Sequence, residues 1–221
     1  MRRPVLAWSL KMILHLHPFS QNSRRVAALL NCAGLAWESR VVDLTAGAHR
    51  RPEFLALNPN GQIPVLEDGA LALAESMAIL RHICRTRGLE AWYPAAPALR
   101  AKVDQWLDWT QSRFARPTSL VFFNTVVADP QETAPLIEEG KRLLAELAPI
   151  LEHALQGRDW LVGEGPTIAD LALVTCLQNL EFVGARPAGP AIDAWFARVN
   201  ALEGVRAALP EPFLARMPAA A

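Results

Sequence analysis

The chain has 221 residues, 52% of them apolar, a length that suits one large domain or two ordinary ones around a well-buried core. Its 22 Lys and Arg balance 22 Asp and Glu, which argues against a nucleic-acid or anionic-membrane surface, and no apolar run is long enough to span a membrane. Three cysteines, Cys32, Cys84 and Cys176, lack paired spacing, so neither a disulfide framework nor a metal site is expected, and a reducing, cytoplasmic setting fits best.

Residues 1–11 read as an N-terminal extension. Their basic start resembles a signal peptide, but the apolar part, Pro4 to Trp8, is short and Lys11 interrupts it. Met12 to Leu16 is a strand candidate, and "SRRVAALLNCAG" places Val26, Leu29, Leu30 and Ala33 on one helical face before Gly34. Trp37 to Val42 reads as a second strand and Pro52 to Leu57 as a short helix with proline in its first turn. Ile63 to Glu67 and Ala70 to Ala74 flank Asp68-Gly69, a hairpin signal, and "ESMAILRHICRTRG" is a further helix. The order βαβαββα predicts an α/β unit over 12–88 with a mixed four-stranded sheet.

Pro94 and Pro97 punctuate a linker over 89–97, after which only helical periods appear, so 98–221 is predicted to be all α. "LRAKVDQWLDWTQSRFA" offers Leu99, Val103, Trp106 and Leu107 as its buried positions. "IEEGKRLLAELAPILEHALQG" offers Leu143, Leu144, Leu147, Ile150, Leu151 and Leu155, with a kink expected at Pro149. "TIADLALVTCLQNLEF" and "AIDAWFARVNAL" close the set, and the alanine-rich end is expected to fray.

Four segments carry chemistry or its imitation. In "HPFSQNSRRV" a Ser20, Asn22 or Ser23 cap explains the polar residues, while Arg24 and Arg25 near a positive helix end suggest an anion bound there. In "NPNGQIPVLEDG", Pro64 is either a trans proline on an edge strand or half of a cis Ile63–Pro64 bond that frees backbone groups for an extended ligand. Glu75-Ser76 at a strand-to-helix junction suits a carboxylate or a plain helix start. Thr167 and Asp170 have capping-box spacing and read as structural.

"NPNGQIPVLEDG", "LAESMAILRHI" and "TIADLAL", in that order, resemble the glutathione transferases over about Met12 to Leu209. The resemblance implies a thioredoxin-like N-terminal domain, an all-helical C-terminal domain and a homodimer. It also implies conjugation of glutathione, as co-substrate without a further cofactor, to a hydrophobic electrophile. The only tyrosine is Tyr93 and the first turn holds no cysteine, so the turn resembles serine-type members of the theta, phi and delta kind. That implies Ser20 as the donor to the glutathione thiolate. By matching position, Val65 beside a cis Pro64 would pair with the cysteinyl part, with Ile63 adjoining. His49 and Gln62 would hold the glycyl end, and Glu75 and Ser76 the γ-glutamyl end. Asp104 would reach the γ-glutamyl amine across the dimer. Phe19, Asn22, Arg113, Phe114, Arg116 and Phe122 are the candidates for the electrophile wall. Glutathione-dependent dehalogenation or isomerisation, or a non-catalytic adaptor of the same fold, are the competing readings.

Overall fold

The computed structural model describes residues 12–217, so the expectations for the N-terminal extension and for the alanine-rich end lie outside the described residues. Strand β1 (Met12–Leu16) leads through a turn into helix α1 (Gln21–Cys32), and β2 (Trp37–Val41) returns parallel to β1. A 3₁₀ turn (Ala48–Arg50) and α2 (Pro52–Leu57) precede the hairpin of β3 (Val65–Asp68) and β4 (Leu71–Ala74), and α3 (Ser76–Thr86) follows. The sheet order is β2-β1-β3-β4, with β3 antiparallel to both neighbours. The hairpin turn is Gly69-Ala70, one residue later than expected, because Asp68 still pairs with Leu71 and Gly69 takes φ 68°.

Asp68 is buried and ties the hairpin to the end of α3. It accepts from Arg87 Nη2 at 2.7 Å and pairs with His82 Nε2 at 2.9 Å. Burial alone would favour the neutral acid, but these two hydrogen bonds and the Arg87 charge outweigh it and hold the carboxyl below its ordinary 3.8. A depressed carboxylate contributes stability that is complete above its unfolded pKa and is lost as pH falls through the lower folded value. The stability gap between wild type and Asp68→Asn, measured by urea unfolding, is therefore expected to be constant near neutrality and to shrink below about pH 4.

The helical part comprises α4 (Pro97–Trp109), a π turn (Thr110–Phe114), α5 (Ala115–Val126), α6 (Pro130–Leu155), α7 (Ile168–Phe182), α8 (Pro190–Asn200), α9 (Glu203–Ala207) and α10 (Glu211–Leu214). Two expected core positions are instead exposed: Leu99 at 43% on α4 and Ile150 at 50% on α6. Helix α7 is the hub. Every residue from Ile168 to Leu180 is buried, and its N-terminus carries the expected capping box, Thr167 N donating to Asp170 Oδ2 at 2.9 Å. Asp170 also accepts from Leu161 N and from the Trp195 indole, tying the loop before α7 and helix α8 to one carboxylate. Helix α1 packs on α7 and α9, and one apolar core runs from Met12 through both parts to Met217. This is a thioredoxin-like sheet domain joined to an all-helical domain.

Candidate active site

Ser20 is the N-cap of α1: its φ of −78° and ψ of 117° lie outside the helix, and its Oγ accepts from Ser23 N at 3.3 Å. The cap uses an oxygen lone pair and leaves the hydroxyl proton free to donate. His17, at the end of β1, braces the turn, its Nδ1 accepting from Phe19 N at 3.3 Å. That bond requires the nitrogen unprotonated, and burial lowers the His17 pKa in the same sense, with Asp43 opposing.

Facing this turn is the segment that leads into β3. Asn58, buried, donates from Nδ2 to Gln62 O at 2.7 Å and accepts from Asn60 N, which shapes the loop. Gly61 takes φ 61°, and a Cβ there would come within 3.0 Å of His49 O, so the loop and the 3₁₀ turn meet through a glycine. The Ile63–Pro64 peptide is cis. The turn and this loop line one cleft of about 360 Å³ with Phe19, Ser20, Gln21, Asn22, Leu44, His49, Gly61, Gln62 and Ile63 on its sheet-domain side, and Ser119, Phe123 and Asn179 on the helical side. Two buried polar atoms without partners, Asn22 Oδ1 and His49 Nδ1, belong to residues of this wall.

Several candidates lie outside the wall of this cleft. Val65 is fully buried and has a strand on each side, His15 opposite it in β1 and Ala74 in β4, so its backbone offers no open edge. The residue before the cis bond, Ile63, reaches the cleft instead. Glu75 and Ser76 lie outside this wall. Glu75 has φ 67° and ψ 106°, a positive-φ conformation that costs on the order of 1–3 kcal/mol in a non-glycine residue and clusters at ligand sites. Ser76 is buried, and its Oγ accepts from Arg25 Nη1 at 3.4 Å instead of pointing outward. Asp104 accepts from Arg81 Nε at 2.6 Å and from the Tyr93 hydroxyl, both in its own chain.

Four of the six electrophile-wall candidates are displaced, for one reason. The π turn at Thr110–Phe114 closes i→i+5 bonds, so the face that Trp106 and Trp109 begin is not continued in phase along α5. Phe114 is fully buried, 5.5 Å from Trp109, and Phe122 is buried among Phe123, Phe182 and Phe213. Arg113 and Arg116 are exposed, Arg116 pairing with Glu139. Ser119 and Phe123, one turn apart on α5, face the cleft in their place, and Phe123 is 53% exposed. Phe123→Ala is accordingly expected to raise KM for an apolar electrophile several-fold with stability changed by less than about 0.5 kcal/mol. Phe122→Ala should cost about 3–5 kcal/mol in urea unfolding.

Arg24 and Arg25 also depart from expectation. They turn away from the cleft and are 2% and 0% exposed, so they form no open anion site. Arg24 donates to Pro18 O, Phe19 O, Thr175 O, Gln178 Oε1 and Asn179 Oδ1. Arg25 reaches Thr175, Ser76, Met77 and Cys176. The sequence places both on the helix; contacts with α7 set which way they point.

Residues 10–85 match the family description "Glutathione S-transferase, N-terminal domain", and residues 114–203 match "Glutathione S-transferase, C-terminal domain". Glutathione S-transferase 3 of Zea mays is 36% identical over 206 residues, covering 88% of this chain and 93% of that protein. Glutathione S-transferase theta-2 of Homo sapiens is 31% identical over 199 residues, covering 86% and 81%. Among solved structures, a delta-class glutathione transferase of Nilaparvata lugens superposes with a TM-score of 0.82 at 29% identity, covering 91% of this chain and 94% of that one. The apo form of human glutathione S-transferase T1-1 also gives 0.82, at 28% identity, covering 93% and 90%. With sheet, cis proline, capped turn and helical hub in this arrangement, the chain belongs to the glutathione S-transferase family, whose enzymes conjugate glutathione to electrophilic small molecules.

Proposed function

We propose that the cleft between the Ser20 turn and α5 holds glutathione as a thiolate, with the Ser20 hydroxyl donating a hydrogen bond to the sulfur. The observation that carries this reading is the Ser20 position, at the N-cap of α1 on the wall shared with His49, Gln62 and Ile63. A hydroxyl donor and the positive end of a twelve-residue helix both favour the charged sulfur and lower its pKa from about 8.5. The thiolate is the nucleophile; Ser20 forms no covalent bond. It attacks the electrophilic carbon, the new carbon–sulfur bond forming as the leaving group departs with its electron pair.

In this reading Ile63, beside the cis proline, presents its backbone to the cysteinyl part, and His49 with Gln62 receives the glycyl end. Glu75, in its positive-φ conformation, and the backbone N–H of Ser76 at the start of α3 take the γ-glutamyl end, and Asp104 of the second subunit of a homodimer, held by its own Arg81 and Tyr93, supplies negative charge toward the amine. Phe19, Phe123 and Leu44 give the electrophile its apolar walls, while Asn22 and Ser119 supply polar contacts. Residues 12–88 serve as the glutathione-binding domain, 89–97 as the linker and 98–221 as the electrophile-side domain. The protein acts in the cytoplasm; among the described residues no helix is long and apolar enough to cross a membrane.

The test is steady-state conjugation of chlorodinitrobenzene and a panel of alkyl and aryl halides, with glutathione affinity measured in parallel. Turnover with at least one halide supports the reading. Glutathione binding without turnover of any would favour the adaptor. Light scattering at micromolar concentration checks the dimer, and a monomer removes the role given to Asp104.

A further inference from the structure

Arginine is almost never fully buried without an anionic partner, because an unpaired charge in a low-dielectric interior is costly. Here two adjacent guanidiniums are buried behind the Ser20 turn. Arg24 has its five N–H donors matched by five acceptors, and all five acceptors are neutral: three backbone carbonyls and two side-chain amides. The Phe213 ring lies 4.3 Å from the guanidinium carbon. Arg25 has two hydroxyls and two sulfurs, at 3.4–3.6 Å. Neither has a carboxylate among its partners within the described residues. Cys176 does not substitute for one, since burial raises its pKa and keeps the thiol protonated. The arginines are therefore hydrogen-bonded but not neutralised, and burial pulls Arg24 down to about 9.

The position of this charge gives it a use. Arg24 Nη1 donates at 3.0 Å to Phe19 O, the carbonyl of the peptide bond that enters Ser20, and Nη2 holds Asn179, whose side chain lines the cleft. The guanidinium thus fixes the turn from behind and stands one peptide away from the group that meets the sulfur. We propose that Arg24 is a positioning residue that supplies positive potential at the sulfur site, and that the bound thiolate is the counter-charge the fold leaves out. This deepens the reading of Ser20 as thiolate donor and rests on it. Fixed charge set in a dry interior acts over longer distance than in water and needs no reorganisation when the anion arrives.

The titratable groups around Arg24 are few: Arg25 on α1, Cys176 on α7 and His17, which shares the small cavity behind the turn; α10 contributes only the Phe213 ring. Gln178→Glu places a carboxylate at Arg24 Nε, where the amide oxygen now sits at 3.4 Å, without touching a residue of the cleft wall. The pKa of bound glutathione is read from thiolate ultraviolet absorbance of the full-length protein across pH. Neutralising the guanidinium in Gln178→Glu is expected to raise that pKa by about one unit, a roughly tenfold loss of thiolate near neutral pH. Arg24→Gln, which deletes the charge, should move it the same way, while Arg24→Lys, which keeps it, should not, whatever either does to the melting temperature. An unmoved pKa in Gln178→Glu and Arg24→Gln, with the wild-type value depressed, leaves Arg24 a structural clamp and overturns the inference alone. A wild-type complex that titrates like free glutathione fails the thiolate reading itself, and the inference falls with it.

Discussion

Ser20→Ala is expected to lower kcat/KM for conjugation by roughly 10- to 100-fold, since a hydrogen bond to a charged partner is worth about 1.5–3 kcal/mol and each 1.36 kcal/mol is a factor of ten. The same substitution removes the α1 cap, an Oγ that accepts from Ser23 N, and should cost about 1 kcal/mol of stability. The two effects are separable. Ser20→Asp keeps a good capping oxygen, so stability returns, but its carboxylate repels the thiolate and activity should fall at least as far as in Ser20→Ala. Activity that tracks the cap instead of the hydroxyl would reduce Ser20 to a structural role. The pH profile adds a further readout: in Ser20→Ala the lost rate should recover as pH rises through the thiol pKa, because alkaline solvent then supplies the thiolate that the hydroxyl no longer favours.

Asp170→Ala should cost about 3–5 kcal/mol of stability by urea unfolding or about 10 °C in melting temperature. The carboxylate is fully buried and accepts from Leu161 N, Thr167 N, the Thr167 hydroxyl and the Trp195 indole. Alanine leaves those buried donors without partners, and the penalty for each is desolvation without compensation. Asp170→Asn keeps the shape and one acceptor, so it should cost less, about 1–3 kcal/mol. Because α7 also carries Thr175, Gln178 and Asn179, which hold Arg24, loosening its N-terminus bears on the Ser20 turn as well as on the core.

What was legible in the sequence follows from how local the cause is. Alternation and turn residues mark the strands and helices of the first 88 residues, and Thr167 with Asp170 announces the capping box because all its atoms lie within one helical turn. The cis bond at Ile63–Pro64 was open from the residues alone and came only through resemblance. Val65 is matched to the ligand only through resemblance; pairing with both β1 and β4 makes β3 internal, a fact of tertiary topology. Arg113, Phe114, Arg116 and Phe122 miss the cleft because of the π turn, where no glycine or proline in "TQSRF" warns that the helical phase slips. Helices α9 and α10, with five and four residues, are too short to show a period. Arg24 and Arg25 were misread because burying an unpaired guanidinium is improbable on general grounds, and only the neutral acceptors of α7 and the turn make it possible.

The proposed conversion of a bound thiol into a thiolate by the Ser20 turn is tested most directly by titrating the ultraviolet absorbance of glutathione bound to wild type and to Ser20→Ala. The expected wild-type pKa lies at least about one unit below the free value of about 8.5, and Ser20→Ala returns it most of the way. Identical pKa values in the two complexes, with glutathione bound in both, would contradict it.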